Sequence, residues 1–315
     1  WQGVGCDNVT GHVVELDLRY PYDLSSPFDE DDNLHPGPSK LNSSLLGLIH
    51  LKHLDLSMNN FSQNPIPEFL GSLVKLEYLN LSNAGFFGSI PPHLGNLSSL
   101  RSLDLHSNTY GYSSLSIGKD LHWLSTITSL EYLDMSNVNL SKSGDYWIHD
   151  INMLPSLSVL LLSKVDLKNI PNTLPHINLT SLATIDLSDN TFSSLIPGWL
   201  FNITSLRHLD LGYCSFKALR ILKVLASFSK LEHLDLAFNN IIGPLPETLG
   251  NFTGLINLDL SANEITGEIP KTIGKLYKLQ YLDLSYNKIS GKIPETLGSL
   301  CKLQNLWREF YIIIV

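Results

Sequence analysis

Charge is scarce in this sequence, and clustered basic charge is missing. Only 16 % of residues are charged, the formal net charge is −9, and no run of lysine and arginine occurs. Non-specific binding to nucleic acid or to an anionic membrane needs basic patches, so both are excluded as expected functions. The densest charge run is acidic, Asp29-Glu30-Asp31-Asp32. No stretch approaches the ~20 apolar residues of a membrane helix, and the terminal FYIIIV at 310–315 is too short. The three cysteines, Cys6, Cys214 and Cys301, are odd in number and far apart, which argues against an internal disulfide framework. No glycine-rich phosphate loop, Gly-x-Ser-x-Gly elbow or paired metal-cysteine motif is present. The expectation is therefore a non-enzyme without cofactor or metal. The chain opens at Trp1 with no signal peptide, which reads as a mature or trimmed product.

What the sequence does have is one phrase, Leu-x-x-Leu-Asp-Leu-Ser-x-Asn, repeated about eleven times at a spacing of roughly 24 residues. It reads LKHLDLSMNN at 51–60, LRSLDLHSNT at 100–109, LRHLDLGYCS at 206–215, LEHLDLAFNN at 231–240, LINLDLSANE at 255–264 and LQYLDLSYNK at 279–288. A period of this length specifies a solenoid, in which each repeat buries its apolar face only against its neighbours. In the copy at 255–278, Leu255, Leu258 and Leu260 alternate inward on a short strand and Asp259 points to the opposite face. The Asn263 side chain can bond backbone groups of adjacent coils, so the asparagine position predicts a ladder. Asn59, Asn108, Asn190, Asn239, Asn263 and Asn287 occupy it; Ala84, Val138, Val165 and Cys214 replace it, Cys214 as a buried filler. Gly267 permits a turn and Pro270 fixes φ.

Half-repeats of the form Gly-x-Ile-Pro occur as GSIP (88–91), GEIP (267–270) and GKIP (291–294), with GPLP (243–246) and NPIP (64–67) as variants. With the period, they make the chain resemble the plant-specific class of leucine-rich repeats. The opening WQGVGC followed by GHVVELDL is similar to the N-terminal cap of plant receptor-like proteins and receptor kinases. The segments DLHWLSTITSLEYLDMSNVNLS (120–141) and INMLPSLSVLLLS (151–163) resemble the receptor-like proteins that include the tomato receptors for a fungal ethylene-inducing xylanase. The likeness covers about residues 1–306.

The resemblance implies an α/β leucine-rich-repeat solenoid: a curved horseshoe with a parallel β-sheet on the concave face and irregular, 3-10 or short helical segments on the convex face. It divides the chain into a cap remnant at 1–12, repeats at 13–306 and a divergent tail at 307–315. An insertion falls at 20–40 and irregular repeats at 109–156. It also implies that Cys6 has lost a cap partner. The implied function is ligand recognition in plant immune signalling. A protein or peptide elicitor would bind on the concave face, and a receptor-kinase co-receptor would dock laterally. The implied location is the plasma-membrane surface or the apoplast, with membrane attachment only through a missing C-terminal helix, so the chain reads as truncated. The alternative is a secreted inhibitor of microbial cell-wall hydrolases similar to polygalacturonase-inhibiting proteins.

Nine Asn-x-Ser/Thr sequons occur. Asn8, Asn42, Asn60, Asn96, Asn139, Asn178, Asn202 and Asn251 are candidate glycan acceptors. Asn80 falls on the concave strand face, where a glycan would obstruct ligands, and is expected to be unused. Asp17, Asp55, Asp104, Asp134, Asp186, Asp210, Asp235, Asp259 and Asp283 should align in a column, interrupted by Asn80 and Leu161. The column reads as repeat consensus with local hydrogen bonds, bridged by neighbouring hydroxyl and imidazole groups, or as a surface that favours basic ligands. His208 and His233 should stand about 5 Å apart on adjacent strands, as a stacked solvated pair in preference to a metal site. The candidate ligand strip is His208, Tyr213, His233, Phe238, Tyr281 and Tyr286, with Asp210 and Asp235 beside it. The aromatics Tyr110, Tyr112, Trp123, Tyr146 and Trp147 are expected to pack against the lateral face or to form a second patch.

Overall fold

The leucine spacing dictates the local structure. Leu255, Leu258 and Leu260 are fully buried, while the intervening Asp259 turns the other way, as alternation along a strand requires. The computed structural model describes residues 2–20, 40–61, 64–107, 115–192, 194–218 and 230–307. The acidic run at 29–32, almost all of the insertion, Asn108, Tyr110, Tyr112 and the tail from 308 onward lie outside the described residues.

The chain divides into two units, Trp1–Val165 and Asp166–Val315. In the first, Val4–Cys6 pairs antiparallel with Val13–Asp17. Parallel strands follow at His53–Asp55, Tyr78–Asn80, Ser102–Asp104, Tyr132–Asp134 and Val159–Leu161. In the second, Thr184–Asp186, His208–Asp210, His233–Asp235, Asn257–Asp259, Tyr281–Asp283 and Asn305–Trp307 pair in parallel, position for position. Each unit is a leucine-rich-repeat solenoid. The return segments are 3-10 turns such as Glu68–Ser72, Glu247–Asn251 and Lys271–Lys275. The Ile-Pro motif starts them: Pro270 sits at φ −66° and its carbonyl accepts from Ile273 N at 3.0 Å. At Gly250 a Cβ would lie 2.6 Å from the Thr272 carbonyl oxygen, so coils stack closely because that side chain is missing.

The asparagine ladder forms as expected. Asn263 Nδ2 donates to the Leu236 carbonyl of the preceding coil (2.9 Å) and to Leu260 of its own, and its Oδ1 accepts from Ile241 N at 3.0 Å. Asn239 and Asn287 repeat the pattern on Leu211 and Leu260. Cys214 is buried, and its Sγ donates to the Leu187 carbonyl at 3.0 Å, taking the bond an asparagine would make. Burial pushes its thiol up to about 12.

One feature was not foreseen. A second small parallel sheet runs through Lys217–Ala218, Asn240–Pro244, Glu264–Gly267 and Lys288–Ile289, just after the ladder position. Among the described residues the first unit has one such strand pair, Gly88–Ser89 with Leu115–Ser116. The aromatic group divides: Trp147, on the short helix Trp147–Ile151, and Trp123 pack into the core, whereas Tyr146 is exposed. Among the described residues no helix is long and apolar enough to cross a membrane.

Removing one rung tests the ladder. Asn263→Ala leaves the buried Ile241 N–H without its acceptor and takes one of two donors from the Leu236 carbonyl, which Asn239 Nδ2 still reaches at 3.1 Å, so urea unfolding should show a loss of roughly 1–3 kcal/mol. A loss under about 0.5 kcal/mol would show that the ladder bonds are not needed.

Candidate ligand-reading face

The strand-end aspartates have a structural task. In every described copy the carboxylate Oδ1 accepts from the backbone N–H two residues on, closing the turn after the strand: Asp55 from Ser57, Asp134 from Ser136, Asp210 from Gly212, Asp235 from Ala237, Asp259 from Ser261 and Asp283 from Ser285. Asn80 does the same to Ser82 N at 2.9 Å, and its Nδ2 donates to Tyr78 Oη at 3.2 Å.

The same aspartates accumulate charge, because the parallel register places them side by side. In the first unit the column is broken and compensated. Asp17 pairs with Arg19 at 2.6 Å, Asn80 and Leu161 carry no charge, and His106 Nδ1 lies 2.9 Å from Asp104 and 3.6 Å from Asp134. In the second unit Asp186, Asp210, Asp235, Asp259 and Asp283 run without interruption. No cation among the described residues pairs with them; the ion pairs there, Arg207–Glu232 and Lys288–Glu264, lie elsewhere.

Hydroxyl groups decide which of the five is most strained. Ser188 Oγ donates to Asp186 at 2.7 Å, and Tyr281 Oη donates to Asp259 (3.2 Å) and Asp283 (3.4 Å). Two residues after Asp210 and Asp235 stand Gly212 and Ala237, which have no hydroxyl. Burial, with the neighbouring aspartates adding to it, pushes the carboxyl of Asp210 up to about 7 and that of Asp235 up to about 6. A Cβ at Gly212 would sit 3.2 Å from Asp235 Oδ1 and 3.3 Å from Asp210 Oδ1, so the missing side chain leaves a notch between the two carboxylates.

The predicted strip resolves into two groups. His208 and His233 are paired in register with ring centroids 4.2 Å apart, and burial followed by the His208 charge holds His233 below its ordinary range. Tyr213 and Phe238 stack at 4.1 Å just beyond Asp210 and Asp235. Both are about half exposed, at 50 % and 48 %. Both hold left-handed backbone, φ 54° and 52°, and their N–H groups bond the next coil at Ala237 and Ser261. Tyr286 has the same conformation and is exposed, but Ala262 separates it from Phe238. Tyr281 is separated from His233 by Asn257 and belongs with Asp259 and Asp283. His106 was passed over in the sequence; its signal was a histidine where most copies carry serine.

Of the glycan candidates, Asn8, Asn42, Asn60, Asn96, Asn178, Asn202 and Asn251 are exposed, and Asn139 is half-buried with its Oδ1 bonded to Ser141. Asn96, Asn202 and Asn251 each end a 3-10 turn, away from the strand face.

Family models described as leucine-rich repeats match residues 50–73, 75–97 and 155–216, and one described as a leucine-rich repeat region matches 199–311. "Receptor-like protein EIX1" of Solanum lycopersicum is 42 % identical over 245 residues, covering 76 % of this chain and 23 % of its own. The chain belongs to the leucine-rich-repeat receptor-like proteins of plants. "Receptor-like protein 39" of Arabidopsis thaliana is 36 % identical over 68 % of this chain and 22 % of its own. The chain thus spans about a quarter of the length of these two relatives. The Arabidopsis thaliana receptor-kinase ectodomain GASSHO1/SCHENGEN3, in complex with CASPARIAN STRIP INTEGRITY FACTOR 2, superposes with a TM-score of 0.70 at 30 % identity, over 82 % of this chain and 30 % of that one. The PEPR1–AtPEP1 crystal structure gives 0.74 at 29 % identity, over 98 % of this chain and 39 % of that one.

The raised carboxyls make a pH prediction. Folded Asp210 holds its proton up to about pH 7, whereas an unfolded aspartate releases it near 3.8. The stability from protonated Asp210 is complete below about pH 4 and is lost as pH rises through about 7. Asp210→Asn keeps the turn acceptor, as Asn80 does, and should raise Tm by about 3 °C at pH 8 with little change at pH 4. An equal shift at both pH values would contradict this.

Proposed function

We propose that this chain is an extracellular ligand-recognition segment of a plant receptor-like protein in defence signalling. It binds a protein or peptide elicitor on the strand face of the Asp166–Val315 unit and docks a receptor-kinase co-receptor laterally. The observation that carries the reading is the uninterrupted run Asp186, Asp210, Asp235, Asp259 and Asp283 with no pairing cation among the described residues. Such a face favours a cationic ligand. The exposed Tyr213–Phe238 stack supplies rigid aromatic anchors beside it. The complex of the GASSHO1/SCHENGEN3 ectodomain supports ligand binding by this fold. The exposed sequons away from the strand face are consistent with a cell-surface or apoplastic location.

The test uses three synthetic peptides of equal length, rich in lysine and arginine, neutral, or acidic, titrated into the purified chain at low salt. The basic peptide should bind at least about tenfold more tightly than the neutral one, and more tightly at pH 8 than at pH 5. Replacing Tyr213, Phe238 and Tyr286 together by alanine should weaken it by a further tenfold or so. Equal affinity for all three peptides would remove charge from the account, and unchanged affinity in the triple variant would remove the aromatic strip.

A further inference from the structure

The first unit holds a side-chain cluster that ligand reading does not use. His106 stands two residues after Asp104, at the position occupied by Ser57, Ser82 and Ser136 in other copies. Its Nδ1 lies 2.9 Å from Asp104 Oδ1 and 3.6 Å from Asp134 Oδ2. One donor atom from each of the three residues falls within 4.8 Å of the others. Asp134 is buried, and Asp104 and His106 are half-buried. On the far side of the ring, Nε2 lies 2.9 Å from Asn83 Nδ2.

We propose that Asp104, His106 and Asp134 form a binding site for a divalent transition-metal ion of the zinc type. The geometry suits such an ion. Nitrogen and oxygen donors at about 2.0–2.2 Å in tetrahedral array stand about 3.3 Å apart, and the observed separations of 2.9 and 3.6 Å bracket that edge. The electrostatics also suit it. Two carboxylates on adjacent strands share one imidazole, which even when fully protonated carries only one positive charge, whereas a dication offsets both. On binding, the ion takes the Nδ1 lone pair, and the neutral ring's one hydrogen passes through solvent from Nδ1 to Nε2. The Asn83 amide can then turn its oxygen to accept from Nε2, which fixes the ring plane. The imidazole favours zinc-type ions over magnesium or calcium, which prefer all-oxygen sites. The site would clamp the coil of Ser102–Asp104 to that of Tyr132–Asp134. These lie 30 residues apart in sequence, longer than the usual period.

The other His-containing cluster, His208, Glu232 and His233, is less suited, because Glu232 is engaged by Arg207. It serves as the control. The purified chain is titrated with Zn²⁺ by calorimetry, with thermal unfolding followed in parallel. One equivalent should bind in the low micromolar range and raise Tm, and a large excess of Mg²⁺ or Ca²⁺ should not compete. His106→Ser restores the common residue of the repeat and so should fold. It should weaken Zn²⁺ binding by at least thirtyfold, as should Asp134→Asn, while His208→Ala leaves it unchanged. No Zn²⁺ binding by the parent chain, binding that survives His106→Ser, or binding abolished by His208→Ala would each overturn the assignment.

Discussion

Each coil of this protein depends on its neighbour to satisfy buried polar backbone. A single repeat has short strands and an exposed row of amides and carbonyls, and it cannot bury its own leucines. The ladder asparagines solve part of this, joining Leu211 to Asn239, Leu236 to Asn263 and Leu260 to Asn287. Close coil stacking at Gly250 solves another part. The turn N–H groups solve a third, since Tyr213, Phe238 and Ala262 each bond the next coil while holding a left-handed backbone. That bond offsets a conformation that bulky residues rarely adopt. The result is that aromatic side chains stand outward on a fixed frame, where their ordering costs little on binding.

Structure and the proposed recognition use the same residues. The strand-end aspartate closes a turn in every described copy, and its repetition in register builds a column of negative charge. Local departures from the phrase then set local chemistry. Arg19 and His106 compensate the column in the first unit, and Asn80 and Leu161 interrupt it. Gly212 and Ala237 remove hydroxyl donors at Asp210 and Asp235, and those two carboxyls rise. A solenoid thus separates tasks by column: leucine and asparagine positions hold the coil together, while the outward positions are free to vary.

Much of this was legible in the sequence because it depends on period. Alternation placed the leucines inside and the aspartates outside. The register follows from a constant phrase, so His208 and His233 could be paired before any coordinates. Other features depend on distances that spacing does not encode. The second small sheet uses short segments with no apolar alternation, such as Lys288–Ile289. Trp147 and Tyr146 are neighbours in sequence, yet one is core and the other exposed, because successive residues in helical backbone point about 100° apart. The raised carboxyls at Asp210 and Asp235 were written in LDLGYC and LDLAFN, but only as missing hydroxyls. Tyr281 could be assigned to its own aspartates only once its oxygen was seen between them.

The strand face of the second unit carries closely spaced carboxylates that no cation among the described residues compensates. Site-resolved carboxyl NMR titration of the aspartates in the intact chain measures this directly. The account predicts midpoints near 7 for Asp210 and near 6 for Asp235. Both carboxyls titrating near 4, as ordinary solvated aspartates do, would contradict it.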